Sequence, residues 1–155
     1  MARRSTAEIY TRPGRRAARP DSISLLMLWY IALGSALGGV SRYLVGGLVQ
    51  RQAGAGFPAG TLVVNITGSF LLGVFLRYGL ETPTLTPEMR ALLTVGFCGG
   101  YTTFSTFSYE TVALLEDGQW SRAGLYAGAS LVLSICATLL GLLAARGLIA
   151  AREGW

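Results

Sequence analysis

The 155-residue chain has no lysine and no histidine, and only 14% of its residues are charged, against roughly 25% in soluble domains. Without histidine there is neither an imidazole base tuned to neutral pH nor an imidazole metal ligand. No apolar stretch holds a pair of acids, and no nucleophile stands beside a base, so an enzyme is not expected. The two cysteines, Cys98 and Cys136, are isolated within apolar runs, which excludes a CxxC motif and a disulfide framework. What the chain does have is apolar bulk: 52% hydrophobic residues, 21 glycines and a mean hydropathy of +0.48.

Charge is missing altogether from four intervals, 22–41, 52–76, 91–109 and 123–145, of 20, 25, 19 and 23 residues. A helix crossing the hydrocarbon core needs roughly 17–25 apolar residues, whereas a soluble bundle places charges along every outward face. The spacing predicts an all-α membrane protein with four transmembrane helices in one domain, residues 27–150, followed by a short tail, 151–155. The connections carry breakers: Gly54, Gly56 and Pro58; Pro83 and Pro87; Gly118. Trp29, Tyr30, Tyr78, Trp120 and Tyr126 fall near predicted helix ends, where amphipathic rings suit the headgroup layer.

Residues 1–26 differ, with six arginines among small and polar residues, the composition of a disordered arm that can hold anionic lipid. A cleaved signal peptide fits poorly, and Met27, which opens the first helix directly, is an alternative start. The choice bears on orientation. Arg77, Arg90, Arg146 and Arg152 fall on one side and Arg42, Arg51 and Arg122 on the other; the arm would turn four against three into ten against three. Residues 27–155 hold seven arginines and six acids, so the basic balance does not point to nucleic acid.

Polar and small residues inside the spans form patterns. Gly34/Gly38 and Ser35/Gly39 give the first helix a small face, and Gly124/Gly128 and Ala137/Gly141/Ala145 do so for the fourth, predicting tight packing or dimer contact. Arg42 ends the first helix and would either snorkel to the interface or sit in a wet vestibule and draw anions. Asn65 is the carboxamide of an apolar run; it makes an interhelical hydrogen bond or donates to a passing anion. Tyr126, Ser130, Ser134 and Thr138 recur every four residues, stacking hydroxyls along one face. They bond back to their own helix or line a pathway. In the third span, Gly99-Gly100-Tyr101-Thr102-Thr103-Phe104-Ser105-Thr106-Phe107 reads as a broken helix. Non-helical backbone at membrane depth survives only where protein buries it or water lines it, so a permeation site is expected there.

Three motifs together, Gly38-Gly39-x-x-Arg42-Tyr43, Gly60-Thr61-Leu62-x-x-Asn65-x-x-Gly68 and Gly96-Phe97-Cys98-Gly99-Gly100-x-Thr102-Thr103-Phe104-Ser105-Thr106-Phe107-Ser108-x-Glu110, make residues 27–150 resemble the Fluc (CrcB) fluoride channels. The resemblance implies a passive fluoride-selective channel of the inner membrane that lowers cytoplasmic fluoride and its toxicity. It also implies an antiparallel, dual-topology homodimer with two pores and a structural, untransported sodium ion held by backbone carbonyls at the broken third helix. Those carbonyls correspond to Gly99 and Thr102. The pore phenylalanines correspond to Phe104 and Phe107 and the pore carboxamide to Asn65, with Thr103 beside them; the hydroxyl track corresponds to Tyr126, Ser130, Ser134 and Thr138, and vestibule positions to Arg42 and Glu110.

The chemistry agrees with the resemblance. A small, strongly hydrated anion must be offered donors, and with no Arg or Lys inside the spans these are hydroxyls, the Asn65 amide and the electropositive ring edges of Phe104 and Phe107. The six arginines of the arm oppose dual topology, so either the natural product starts at Met27 or a differently charged partner subunit supplies the inverted copy. Two rivals remain. A small proton-coupled drug or cation exporter needs a titratable group at depth, for which only Glu110, at the edge of its span, offers itself. A non-conducting assembly subunit would show no ion flux.

Overall fold

A computed structural model describes residues 25–81 and 85–153, the last two by their backbone alone. The described residues form helices and their connections: α1 (Leu25–Ala53), α2 (Ala59–Glu81), α3 (Pro87–Ala91), a π-helical segment (Leu92–Cys98), α4 (Gly99–Tyr101), α5 (Phe104–Glu116) and α6 (Trp120–Glu153). By length and composition α1, α2 and residues Trp120–Ala151 of α6 can each cross a membrane. The third predicted span is the composite running from α3 to α5. The basic arm lies almost wholly outside the described residues, as does Pro83.

The ends follow from local chemistry. Gly54 takes φ 78° after α1, and Gly118 takes φ 72° after α5, the left-handed conformation that stops a helix. At the second stop Gln119 N donates to Leu114 O and Gly118 N to Leu115 O, at 2.8 and 3.0 Å, which satisfies carbonyls the helix end leaves over. At the start of α3, Thr86 accepts from Met89 N at 3.3 Å, with Pro87 at the first helical position.

Apart from Tyr101, Leu114 and Tyr126, the buried residues are mostly small, and many leucines face outward. Val64, Cys98, Ala123, Ala137 and Ala145 are buried, whereas Leu33, Leu37, Leu44, Leu131, Leu139 and Leu143 are exposed. This inverts the soluble pattern: lipid tails are as apolar as leucine, so helix association depends on close backbone approach. The approach is direct. A Cβ on Gly34 or Gly38 of α1 would strike the carbonyls of Leu92 or Phe97, and one on Gly100 would lie 2.6 Å from Ser35 O. Between α2 and α6, Gly73 abuts the Thr138 carbonyl and Gly141 that of Phe70; Gly60 of α2 abuts the Gly46 carbonyl of α1. The expected small faces are therefore used at Gly34/Gly38 and Ala137/Gly141/Ala145. Within the chain Gly124 and Gly128 pack against nothing; space beyond each is open for 4 Å.

Candidate functional site

The third span breaks at two residues, Thr102 (φ −79°, ψ 159°) and Thr103 (φ −150°, ψ 116°), both extended. Thr102 N still donates to Cys98 O at 3.0 Å. Thr103 N, which a continuous helix would direct at Gly99 O, donates instead to Asn65 Oδ1 at 2.8 Å, and Asn65 Nδ2 donates to Thr103 O at 3.1 Å. The carboxamide thus pairs with one residue's backbone as a neighbouring strand would. The interhelical bond expected of Asn65 is made, and one Nδ2 proton remains.

Thr103 then starts α5. Its Oγ1 accepts from Thr106 N at 3.2 Å and lies 3.0 Å from Thr106 Oγ1 and 3.2 Å from Ser105 Oγ, an N-cap built from the hydroxyl run itself. Arg42 is half-buried and faces the break, donating from Nη1 to Thr102 O at 3.3 Å.

Beside the break an open cleft of about 410 Å³ has Arg42, Thr61, Thr103, Thr106 and Glu110 among its lining. Glu110 is anchored: Thr61 Oγ1 donates to its Oε1 at 2.9 Å and Tyr126 OH to its Oε2 at 2.6 Å. Tyr126 has no exposed surface, which corrects its placement among the interfacial aromatics; its hydroxyl is satisfied inside the protein. One turn on, Ser130 is 7% exposed, and among the described residues its Oγ has no hydrogen-bond partner. Ser134 and Thr138 are half-buried, and Thr138 Oγ1 bonds back to Ser134 O at 3.0 Å. The stripe therefore divides: Thr138 follows the local habit of membrane threonines, while Ser130 offers an unused donor.

The aromatics connect the break to this stripe. Phe104 and Phe107 have centroids 5.5 Å apart, and Phe107 lies 5.3 Å from Tyr126. Phe107 faces inward, while Phe104 is 78% exposed on the chain's own surface. Sequence reasoning missed four participants. Thr61 stood within a quoted motif without a role, and Tyr101 is buried with its OH 3.1 Å from Thr67 Oγ1. Phe57, in the α1–α2 connection, lies 5.6 Å from Tyr126 at 84°, a contact that sequence distance hides, and Gln50, in the last turn of α1, bonds to that connection. The π-helical segment was missed too; there Gly99 N reaches back to Thr94 O as well as Gly96 O. Such segments are frequent at functional sites.

Lipid-facing helices around a helix broken at depth, with a polar cleft and buried hydroxyls alongside, define a multi-pass membrane protein whose site lies within its own body. The model of the family described as CrcB-like protein, Camphor Resistance (CrcB) matches residues 29–142, and the chain belongs to this family. Its relatives include the "Fluoride-specific ion channel FluC" of Geobacter metallireducens, 48% identical over 124 residues that cover 80% of this chain and 100% of the relative. Proteins of the same name from Geobacter sulfurreducens and Thermus thermophilus are 50% and 53% identical, over 76% and 72% of this chain and 95% and 88% of theirs. The relatives carry the name of an ion channel, not of an enzyme.

Proposed function

We propose that the chain forms a passive, fluoride-selective channel of the inner membrane that lets fluoride leave the cytoplasm and so reduces its toxicity. The observation that carries this reading is the arrangement at the break. Thr102 and Thr103 leave the helix beside a cleft with one guanidinium, and an inward chain of Phe107, Tyr126 and Ser130 supplies ring edges and hydroxyls but no fixed positive charge. The names of the relatives supply the ion. Arg42 draws anions to the cleft; Thr103, Asn65, Phe104 and Phe107 meet them at the break; Tyr126, Ser130, Ser134 and Thr138 line the way onward, Ser130 with its proton uncommitted. In a low-dielectric interior weak donors gain strength, and their neutrality lets the ion leave again. Glu110 holds the hydroxyls of Thr61 and Tyr126 in place.

The working unit in this reading is an antiparallel homodimer. The exposed Phe104, next to a polar cleft, is a ring that a second copy would cover. A structural sodium ion fits the break. Its donors in this reading are the backbone carbonyls of Gly99 and Thr102. Gly99 O has lost its helical donor to Asn65, and Thr102 O keeps a long 3.3 Å contact from Arg42. A bound cation would be ligated by those two carbonyl oxygens and would offset anions nearby.

Efflux from proteoliposomes tests the reading: fluoride should leave, chloride should stay, and an imposed pH gradient should change neither. Phe104→Ile and Phe107→Ile, which keep bulk and remove the ring edge, should each slow fluoride about tenfold or more while the protein elutes unchanged. Flux driven by the pH gradient would favour the exporter, and no flux from well-reconstituted protein would favour the assembly subunit.

A further inference from the structure

We propose that Phe57 is a positioning residue that holds the Tyr126 phenol against Glu110 beside the pathway, and that Gln50 keeps Phe57 there; the inference rests on the channel reading above. A phenylalanine in a loop at the membrane edge would ordinarily turn to lipid. Phe57 is instead half-buried, with its ring 5.6 Å from that of Tyr126 at 84°, while Phe107 stands 5.3 Å from the same ring. The phenol that donates to Glu110 is thus flanked by two phenyl groups and cannot swing without displacing one. Edge-to-face contact of this kind is directional as well as apolar.

The loop is held by one carboxamide. Gln50 Nε2 donates to Gly54 O at 2.5 Å and to Phe57 O at 3.0 Å, and its Oε1 accepts from Gly60 N at 3.1 Å. It ties the last turn of α1, the backbone of Phe57 and the first turn of α2. Arg122 adds a bond from Nη1 to Gly56 O at 3.2 Å. A second cleft, of about 280 Å³, lies between this loop and α5, and Phe57 and Glu110 both line it. Glu110 also lines the cleft that holds Arg42. Gln50 likewise lines both clefts, so the carboxamide that holds the loop and the carboxylate that holds Tyr126 face the same two spaces.

Fluoride and chloride efflux of Phe57→Leu, Phe57→Tyr and Gln50→Glu are compared with wild type, each in the native and Tyr126→Phe backgrounds and at matched amounts of normally eluting protein. Phe57→Leu should slow fluoride roughly three- to tenfold, the range set by one aromatic pair, and Phe57→Tyr should recover most of that loss. Gln50→Glu, which keeps the acceptor for Gly60 N and removes both donated bonds, should act in the same direction. In the Tyr126→Phe background, with no hydroxyl left to position, neither change should slow fluoride further. Should Phe57→Leu not reconstitute, Phe57→Met carries the same expectation. Wild-type rates in Phe57→Leu, or equal losses in both backgrounds, would overturn this inference and leave the channel reading standing; absence of fluoride flux in wild type would bring down both.

Discussion

Asn65 shows how one side chain can allow a helix to break in a membrane. Each peptide group left unpaired in hydrocarbon costs several kcal/mol, and this carboxamide satisfies both the N–H and the C=O of Thr103. Replacing it removes both partners. Asn65→Leu should lower stability by about 2–6 kcal/mol, the sum expected for two orphaned buried groups, read as a fall in the thermal unfolding midpoint in detergent. Asn65→Asp, which retains the acceptor for Thr103 N, should lose less than Asn65→Leu; equal losses would show that the backbone pairing contributes nothing. A polar residue in this span was legible, since an amide within an apolar run stands out. Its partner was not, because Thr103 lies 38 positions away and hydropathy carries no information about such distances.

The elements differ in how plainly they were written. α1, α2 and α6 follow from charge-free length alone, because the bilayer admits no other way to satisfy so long a run of backbone. The break was legible from paired glycines and consecutive hydroxyls where leucine would be ordinary. The π-helical segment was not: Leu92 to Cys98 reads as an unremarked apolar stretch, and its winding accompanies the close approach of Gly96 to the backbone of α1 around Ile31 and Gly34. The glycine contacts make a prediction at this scale. Gly38→Leu and Gly141→Leu each place side-chain atoms on a neighbouring carbonyl and should abolish monodisperse protein, or lower the unfolding midpoint sharply, whereas Gly128→Leu, which meets open space within the chain, should leave the helices packed. Comparable damage at Gly128 would mean that its face is covered in the assembled protein.

For the whole molecule the outstanding question is how copies are arranged in the membrane. A single cysteine at Ala55, an exposed loop position, in a chain with Cys98 and Cys136 replaced, should react with an impermeant reagent from both sides of a vesicle if protomers insert in both orientations. Labelling restricted to one side would overturn the antiparallel homodimer. The near balance of arginines in residues 27–155 favours insertion either way, while the arm opposes it, so the same experiment on the full chain and on a chain starting at Met27 separates the two influences.

Composition by itself determined that this chain is a helical membrane protein interrupted in its third span, since the energetics of hydrocarbon act on every residue locally and leave their mark on hydropathy. The repeat of Tyr126, Ser130, Ser134 and Thr138 likewise fixed a polar face, because helical periodicity is a property of the chain alone. Only the tertiary structure decided that Arg42 turns to Thr102, that Tyr126 is sealed between two phenyl rings, and that Gln50 and Phe57 belong beside the site. Apart from the short reach of Gln50 to Phe57, those facts depend on which backbones approach which, and that is settled by packing between helices far apart in sequence.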